Sequence, residues 1–207
     1  MTHPVLDIHN VDWIGGSPCS GKSSIAEKLA ARHDQRLIHT DDYLDPHTRQ
    51  ADADRHLVLH RQSQKTWNQI WMTPVEQQVK DEFEMLLDGQ ALNQDGGPLL
   101  VEGAAVLPEQ LERIQVRPGK AVTIIPTREF QVAHYSNRAW IQEILAQSEQ
   151  PETTFRNWME RDSRFAYQIE IDAKPLGMPV IRVDGQASLN DNLRWVERFF
   201  QWKSNST

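Results

Sequence analysis

The sequence has little of several features that would point to particular classes of protein. It has one cysteine, Cys19, which cannot form an internal disulfide, so nothing indicates an oxidising compartment. No apolar run approaches the roughly 20 residues that span a membrane. Residues 1–13 lack the basic region and long apolar run of a signal peptide. We therefore expect a cytoplasmic protein with no membrane partner.

An excess of positive charge is also absent. The sequence has 22 Lys and Arg residues against 29 Asp and Glu residues, a formal net charge of −7. This balance argues against a nucleic-acid partner bound through bulk basic charge, but it permits a local basic site for a small anion. Internal repeats and linker-like stretches are lacking too. The 207 residues therefore predict one domain, 1–207, with a full hydrophobic core.

Short apolar runs alternate with longer helical patterns along the chain. The runs predict five strands, in VDWIGG, RLIHTDDY, GGPLLVEGAAVLP, KAVTIIP and MPVIRVDG. The third run is nearly all apolar, so we expect a central strand there. Helical patterns cover 22–33, about 52–88 with a break near 72–74, 128–147, 156–173 and a closing segment, and 148–155 is predicted as a loop. The alternation predicts an α/β fold, with a doubly wound, mostly parallel five-stranded sheet and helices on both faces.

A glycine- and serine-rich loop, GGSPCSGKSS, follows the first predicted strand. It fits the pattern G-x-x-x-x-G-K-[ST], and an amphipathic helix comes directly after it. Glycines let backbone N–H groups surround an anion, and the helix N-terminus favours negative charge. Lys22 would reach the β- and γ-phosphates of ATP, and Ser23 would join the coordination sphere of Mg²⁺. The predicted nucleotide-binding residues of the loop are Gly16, Ser17, Pro18, Cys19, Ser20, Gly21, Lys22, Ser23 and Ser24.

Cys19 lies inside this loop. Neighbouring N–H groups and Lys22 would lower the pKa of the thiol and make it sensitive to oxidation. The simpler interpretation is a loop residue whose side chain matters little. The sequence alone leaves both interpretations open.

Acidic residues end the second and third predicted strands. Asp41 and Asp42 end the second, and Glu102, followed by a glycine, ends the third. Ligands of open α/β sheets bind outside the carboxyl ends of the strands, so these side chains should converge on the ligand of the loop. Phosphoryl transfer to a hydroxyl needs a positioned carboxylate that accepts the proton. The alternative is that an aspartate here caps a turn or a helix start.

The segments LIHTDDYLDP and PLLVEGAAVL resemble those of P-loop small-molecule kinases of the nucleoside and nucleotide kinase type. Nicotinamide riboside kinase is the nearer likeness, and uridine kinase is less close. The resemblance implies a P-loop NTPase fold with ATP and Mg²⁺ as cofactors. It further implies that Asp41 is the general base on the substrate hydroxyl, and that Glu102 with Asp42 supports the metal.

Two later segments carry a looser resemblance to the same kinases. TFRNWMERDSRFAYQI resembles their arginine-bearing lid, which implies a small helical lid over 128–165. Arg161 and Arg164, three residues apart on one helical face, would stabilise the transferred phosphoryl group. The alternative is surface pairing of these arginines with neighbouring acidic residues. LGMPVIRVDG resembles the last strand of these kinases, so Gly185 would border the base pocket.

The phosphoryl acceptor is expected to bind against residues 52–88, where the likeness to these kinases ends. Trp67 and Trp71 would stack on a base or sugar or else lie in the core, and Arg55 and Arg61 would suit an acidic acceptor. The predicted function is ATP-dependent phosphoryl transfer to a hydroxyl of a small metabolite. Alternatives are a nucleoside monophosphate kinase, an antibiotic kinase or a non-catalytic ATP-binding switch. A GTPase is disfavoured, because no N-K-x-D segment follows the fourth strand.

Overall fold

The computed structural model describes residues 10–62, 75–88, 92 and 97–202. The strands in these ranges are β1 (Val11–Gly15), β2 (Arg36–His39), β3 (Leu99–Gly103), β4 (Ala121–Pro126) and β5 (Val180–Val183). They form one sheet in the order β2-β3-β1-β4-β5, with every neighbouring pair parallel. The predicted α/β fold is confirmed, with the layout of a P-loop NTPase fold. The third strand, expected to be central, is internal, while β1 takes the middle position.

The helices surround this sheet. They are α1 (Lys22–His33), α2 (Leu44–Gln50), α3 (Leu57–Gln62), α4 (Val75–Asp88), α5 (Pro108–Arg113), α6 (Arg128–Tyr135), α7 (Ala139–Leu145), α8 (Pro151–Ala173) and α9 (Leu189–Phe199), with a 3₁₀ helix at Thr40–Tyr43. Among the described residues, no helix is long and apolar enough to cross a membrane. Trp67, Trp71 and the expected break near 72–74 lie outside the described residues.

Helices α2 and α5 were not predicted, and the segments 128–147 and 148–155 also differ from the sequence-based prediction. The pattern over 128–147 is two helices, because the Ser136 and Asn137 side chains donate to the Val132 and Ala133 carbonyls (2.8 and 2.7 Å) and compete with continuation of the helix. The predicted loop 148–155 is largely helical, since α8 begins at Pro151. Proline is favoured at the first helical position, where its missing N–H and fixed φ carry no penalty.

The two faces of the sheet bury separate apolar layers. Trp13 faces α4 and α8, and its ring lies 6.0 Å from that of Phe83. Ile14, one residue on, faces α1 and α9 and packs with Leu29 and Val196. Successive strand residues point to opposite faces, so this alternation is what a sheet covered on both sides requires. The carboxyl edge of the sheet therefore lies between two well-packed apolar layers.

A third apolar cluster lies away from the sheet, among α6, α7 and α8. Its buried members are Tyr135, Ile141, Leu145, Trp158 and Met159. Cys19, from the glycine-rich loop, packs against it. The region 128–165, predicted as a lid, thus has its own core, and that core touches the loop directly.

Candidate active site

The glycine-rich loop is pressed against strand β4. Gly16 has φ +138°, and a Cβ at this position would lie 1.8 Å from the carbonyl oxygen of Ile124. No L side chain fits there, so the sequence pattern needs glycine at this position for a steric reason. The loop backbone therefore turns close to the sheet and leaves its outer side for a ligand.

Lys22 and two loop serines supply polar groups at the start of α1, and the two serine hydroxyls have no partner among the described residues. Lys22 is the first residue of α1 and is 5% exposed, and no acidic side chain lies in the first turn of α1. The Ser17 and Ser20 hydroxyls are buried and have no hydrogen-bond partner among the described residues. Buried polar groups are normally satisfied, and the first N–H groups of a helix lack intrahelical partners. This set of unused donors fits an anion.

Cys19 does not have the reactive environment expected from the sequence. Its thiol is half-buried, and burial raises the pKa; Asp162 adds to this, while Arg138 and Lys22 act in the opposite direction. The sulfur accepts a hydrogen bond from Arg138 Nη2 at 3.7 Å. The expected lowering of the thiol pKa is therefore wrong, because desolvation outweighs the nearby positive charge.

The tips of β2 and β3 meet at one closely packed point. Gly103 has φ +150°, and a Cβ there would lie 1.8 Å from Thr40 Oγ1. Thr40 is fully buried, and the next residues, Asp41 and Asp42, are exposed on the 3₁₀ helix rather than on the strand that was predicted to carry them. The turn places both carboxylates at the carboxyl edge of the sheet, beside β3.

Glu102 is buried at the end of β3 and only half satisfied. The side chain is 1% exposed, and Oε1 lies 2.5 Å from Nδ1 of His39 on β2. Its second oxygen, Oε2, is buried with no partner among the described residues. An unpartnered buried carboxylate oxygen is costly unless a ligand or metal completes it. Oε2 of Glu102 therefore fits a role in helping to hold a metal ion.

Glu82 is a site residue that the sequence analysis missed. It lies on α4 and is 2% exposed, and its Oε1 has no partner among the described residues. Burial raises the pKa of Glu82 to about 8; the charge of Asp41 adds to this and that of Lys22 opposes it. The sequence contained a pattern that could have identified Glu82, because this glutamate lies in one buried helical stripe. The other members of the stripe are Val75, Val79, Phe83 and Leu86.

The two predicted lid arginines lie in different surroundings on α8. Arg161 is largely buried and donates to Asp162 Oδ1 through Nε (2.9 Å) and Nη2 (2.7 Å). Arg164 is 78% exposed, and its Nε donates to Glu160 Oε1 at 2.8 Å. Both arginines pair with acidic neighbours, but only Arg161 belongs to a buried polar group, formed with Asp162, Trp158 and Tyr135.

Asp162 organises that group and was also missed by sequence reasoning. It is fully buried and accepts from Arg161, from Trp158 Nε1 at 3.0 Å and from the hydroxyl of Tyr135. Burial raises its pKa, and Arg161 opposes this. Like Glu82, it occupies an apolar stripe, Trp158, Asp162, Phe165, Ala166 and Ile169. A carboxylate in such a stripe is the signal that could have found both residues.

A cavity of about 480 Å³ adjoins the loop on the side of β5. It is lined by Cys19, Ser20, Gly21, Ser24, Phe130, His134, Arg138, Val183, Gly185, Ala187, Leu189 and Asn192. The Phe130 and His134 rings stack with centroids 3.7 Å apart. Gly185 thus lies where a base pocket was expected, whereas Asp184 accepts from the Gln186 N–H at 2.9 Å in a local turn. The cavity combines apolar and aromatic walls with polar loop groups, as ligand pockets do.

Some residues of the region expected to bind the acceptor already pair with other groups of the protein. Arg55 Nη2 donates to Asp88 Oδ2 at 2.7 Å on the surface, and Arg61 is exposed. His60 Nδ1 lies 3.1 Å from the Ala51 carbonyl oxygen. Within the described ranges, no three His, Cys, Asp or Glu side chains are grouped so that they alone would hold a metal ion.

Comparison with known proteins gives no family. No family model and no curated protein matches the chain. Two solved structures align over 93% of this chain: an uncharacterized protein from Eubacterium ventriosum (98% of that chain, 11% identity, TM-score 0.46) and a "putative kinase" from Chloroflexus aurantiacus (97%, 16%, TM-score 0.47). Similarity at this level carries no argument about function.

Proposed function

We propose that the protein is an ATP- and Mg²⁺-dependent kinase that phosphorylates a hydroxyl group of a small molecule, as the nucleoside and nucleotide kinases that its motifs resemble do. The observation that supports the proposal is that Lys22, Asp41 and Glu102 stand after or at the ends of three neighbouring parallel strands, β1, β2 and β3, and that the Ser17 and Ser20 hydroxyls of the loop have no partner among the described residues. Phosphoryl transfer uses a cation that binds the phosphates, a carboxylate that accepts the hydroxyl proton and a group that helps to hold Mg²⁺. Lys22, the exposed Asp41 and the half-satisfied Glu102 would supply these three in turn.

The nucleotide would occupy the loop and the adjoining cavity. Loop N–H groups and Lys22 bind the phosphates, and the roughly 480 Å³ cavity bordered by Phe130 and Gly185 takes the base and ribose. Ser23, Asp42 and the free oxygen of Glu102 would hold Mg²⁺ together with its waters. Mg²⁺ held by these residues would neutralise negative charge that develops on the phosphate oxygens.

Asp41 is the proposed general base. It is exposed next to the buried Thr40, so an acceptor can reach it while its backbone stays fixed. Its carboxylate would accept the proton of the attacking hydroxyl. Arg161 would stabilise charge on the transferred group, and Arg164 would need to leave Glu160 to take part.

The test is Asp41→Asn, measured for ATP binding by calorimetry and for acceptor-dependent turnover by release of ADP. We expect unchanged ATP affinity and a rate reduced by about 10²–10⁴, the usual contribution of a general base. Asp45→Asn, an exposed aspartate on α2, is the matched control and should keep full activity. Full activity of Asp41→Asn would contradict the base assignment. Tight ATP binding with no acceptor-dependent turnover of the unmodified protein would contradict the proposed function itself.

A further inference from the structure

The buried carboxyl of Glu82 has no role in the mechanism described above. It is 2% exposed, and Oε1 has no partner among the described residues. The next residue, Phe83, is fully buried and packs against Trp13, which fixes this turn of α4 against the sheet. An uncompensated carboxyl held rigidly in the interior is costly, so its position calls for a ligand.

The surroundings of Glu82 place it next to the 3₁₀ helix that carries Asp41, the proposed base, where the phosphoryl acceptor would bind. Helix α4 packs against the 3₁₀ helix that carries Asp41, and the charges of Asp41 and Lys22 both act on Glu82. Burial keeps the carboxyl protonated at neutral pH, since its pKa is raised to about 8. A protonated carboxyl offers one O–H donor and acceptor oxygens, which suits a hydroxyl or amino group of a ligand.

The charge balance of this region is unfavourable for an anionic acceptor. Three carboxylates, Asp41, Asp42 and Glu102, lie at the strand tips, and the proposed nucleotide phosphates would add negative charge. The arginines that the sequence offers for an acidic acceptor lie elsewhere: Arg55 is bound to Asp88 on the surface and Arg61 is exposed. A phosphate or carboxylate on the acceptor would therefore meet repulsion, since the described cations of the site, Lys22 and Arg161, are already assigned to the nucleotide phosphates and the transferred group.

Resting on the proposed kinase function, we propose that Glu82 is a specificity-determining residue that hydrogen-bonds the phosphoryl acceptor, and that the acceptor is a hydroxyl compound without negative charge. The acidic strand tips exclude nucleoside monophosphates and sugar phosphates. Glu82 recognises a second polar group of the accepted molecule, next to the hydroxyl that is phosphorylated.

The acceptor class is tested with a small-molecule extract of cells, divided at pH 8 on an anion-exchange column. The flow-through holds neutral and cationic compounds, and the salt eluate holds anions. Each fraction is incubated with the full-length protein, Mg²⁺ and [γ-³²P]ATP, and transfer of label to any compound other than water is measured. We expect transfer in the flow-through, at least tenfold above that in the eluate. Transfer confined to the eluate overturns the inference but leaves a kinase. Transfer in neither fraction overturns the proposed function and the inference with it.

The role of Glu82 is tested on the labelled flow-through fraction with two variants. Glu82→Met keeps the size of the side chain and removes its hydrogen bonds, and Glu82→Gln keeps a neutral donor and acceptor. We expect Glu82→Met to raise the KM for the acceptor fraction at least tenfold with the KM for ATP unchanged, and Glu82→Gln to restore the KM to within threefold. Glu84→Ala, on the same helix but half-exposed and paired with Arg113, is the control and should change neither KM. Equal changes in both KM values, or none, would contradict the assignment.

Discussion

His39 Nδ1 lies 2.5 Å from Oε1 of Glu102, joining the tips of β2 and β3 by a hydrogen bond between side chains 63 positions apart. The bond fixes the rotation of the Glu102 carboxylate, so that Oε2 is the oxygen left for a ligand. Partners of this kind orient a metal-linked carboxylate without touching the metal. His39 is followed by Thr40 and Asp41, so the same contact also holds the start of the turn that carries the proposed base.

Replacing His39 by leucine should therefore raise the Mg²⁺ concentration needed for half-maximal turnover. We expect an increase of about 10–100-fold, the usual effect of removing a residue that orients a metal ligand. The measurement is ADP release against Mg²⁺ concentration at saturating ATP. His33→Leu is a matched control, since His33 Nε2 also pairs with a glutamate (Glu197 Oε1, 2.7 Å) but on α1 and α9. An unchanged Mg²⁺ requirement for His39→Leu would exclude Glu102 from the metal site.

Gly16→Ala should destabilise the protein strongly. The added Cβ would lie 1.8 Å from the Ile124 carbonyl oxygen in a backbone conformation of φ +138°. We expect a loss of about 4 kcal/mol or more, which lowers the Tm by roughly 10 °C in a chain of this size. Gly119→Ala is the control, because its φ is +82° but nothing lies within 4 Å of the added atom. The control should lose only about 1–2 kcal/mol; equal Tm values for the two variants would contradict the close contact with β4.

Glu82 should make the stability of the protein fall as pH rises. Its pKa is about 8 in the folded state against an ordinary value of 4.5, so between these values the unfolded chain binds fewer protons than the folded one. Stability from this group is fully present below pH 4.5 and is lost up to about pH 8. Glu82→Gln removes the effect. The Tm of the variant minus that of the natural protein should grow by several degrees between pH 5 and pH 8, measured by calorimetry. A difference independent of pH would show that Glu82 is ionised when buried.

The two possible roles of Arg161 can be separated with a double variant. Arg161→Met leaves the buried Asp162 without its guanidinium partner, which should cost about 3–5 kcal/mol. Adding Asp162→Asn removes that charge and should restore most of the Tm. If Arg161 also stabilises the transferred phosphoryl group, the double variant stays slow, with kcat reduced by about 10²–10³. Recovery of both Tm and kcat would limit Arg161 to pairing with Asp162.

The features of the site that could be predicted are those encoded by short, continuous patterns. The loop from Gly16 to Ser24 and the positions of Asp41 and Glu102 near the carboxyl edge of the sheet were predicted in this way, and the sheet followed from the alternation of apolar runs. Pro151 was misassigned because proline suits a loop and a first helical turn equally well. Glu82 was missed because its burial depends on how α4 packs, although the apolar stripe that contains it was legible.

Contacts between distant segments could not be predicted. Nothing local distinguishes Arg161, beside a buried aspartate, from Arg164, which is paired with Glu160 on the surface. The proximity of Glu82 to Asp41 and Lys22 also depends on the packing of α4 against the 3₁₀ helix. Such contacts arise from the packing of whole elements, and the spacing of residues in one segment carries no information about them.

If the loop binds a nucleotide as proposed, the separate core among α6, α7 and α8 limits how the neighbouring helices can move. Tyr135, Ile141, Trp158 and Met159 interlock these helices, so no single helix can separate from the others without opening an apolar interior to water. The partly buried Cys19 packs against the same core and so links it to the loop. Entry and release of the proposed nucleotide would then require these three helices to shift together rather than one at a time.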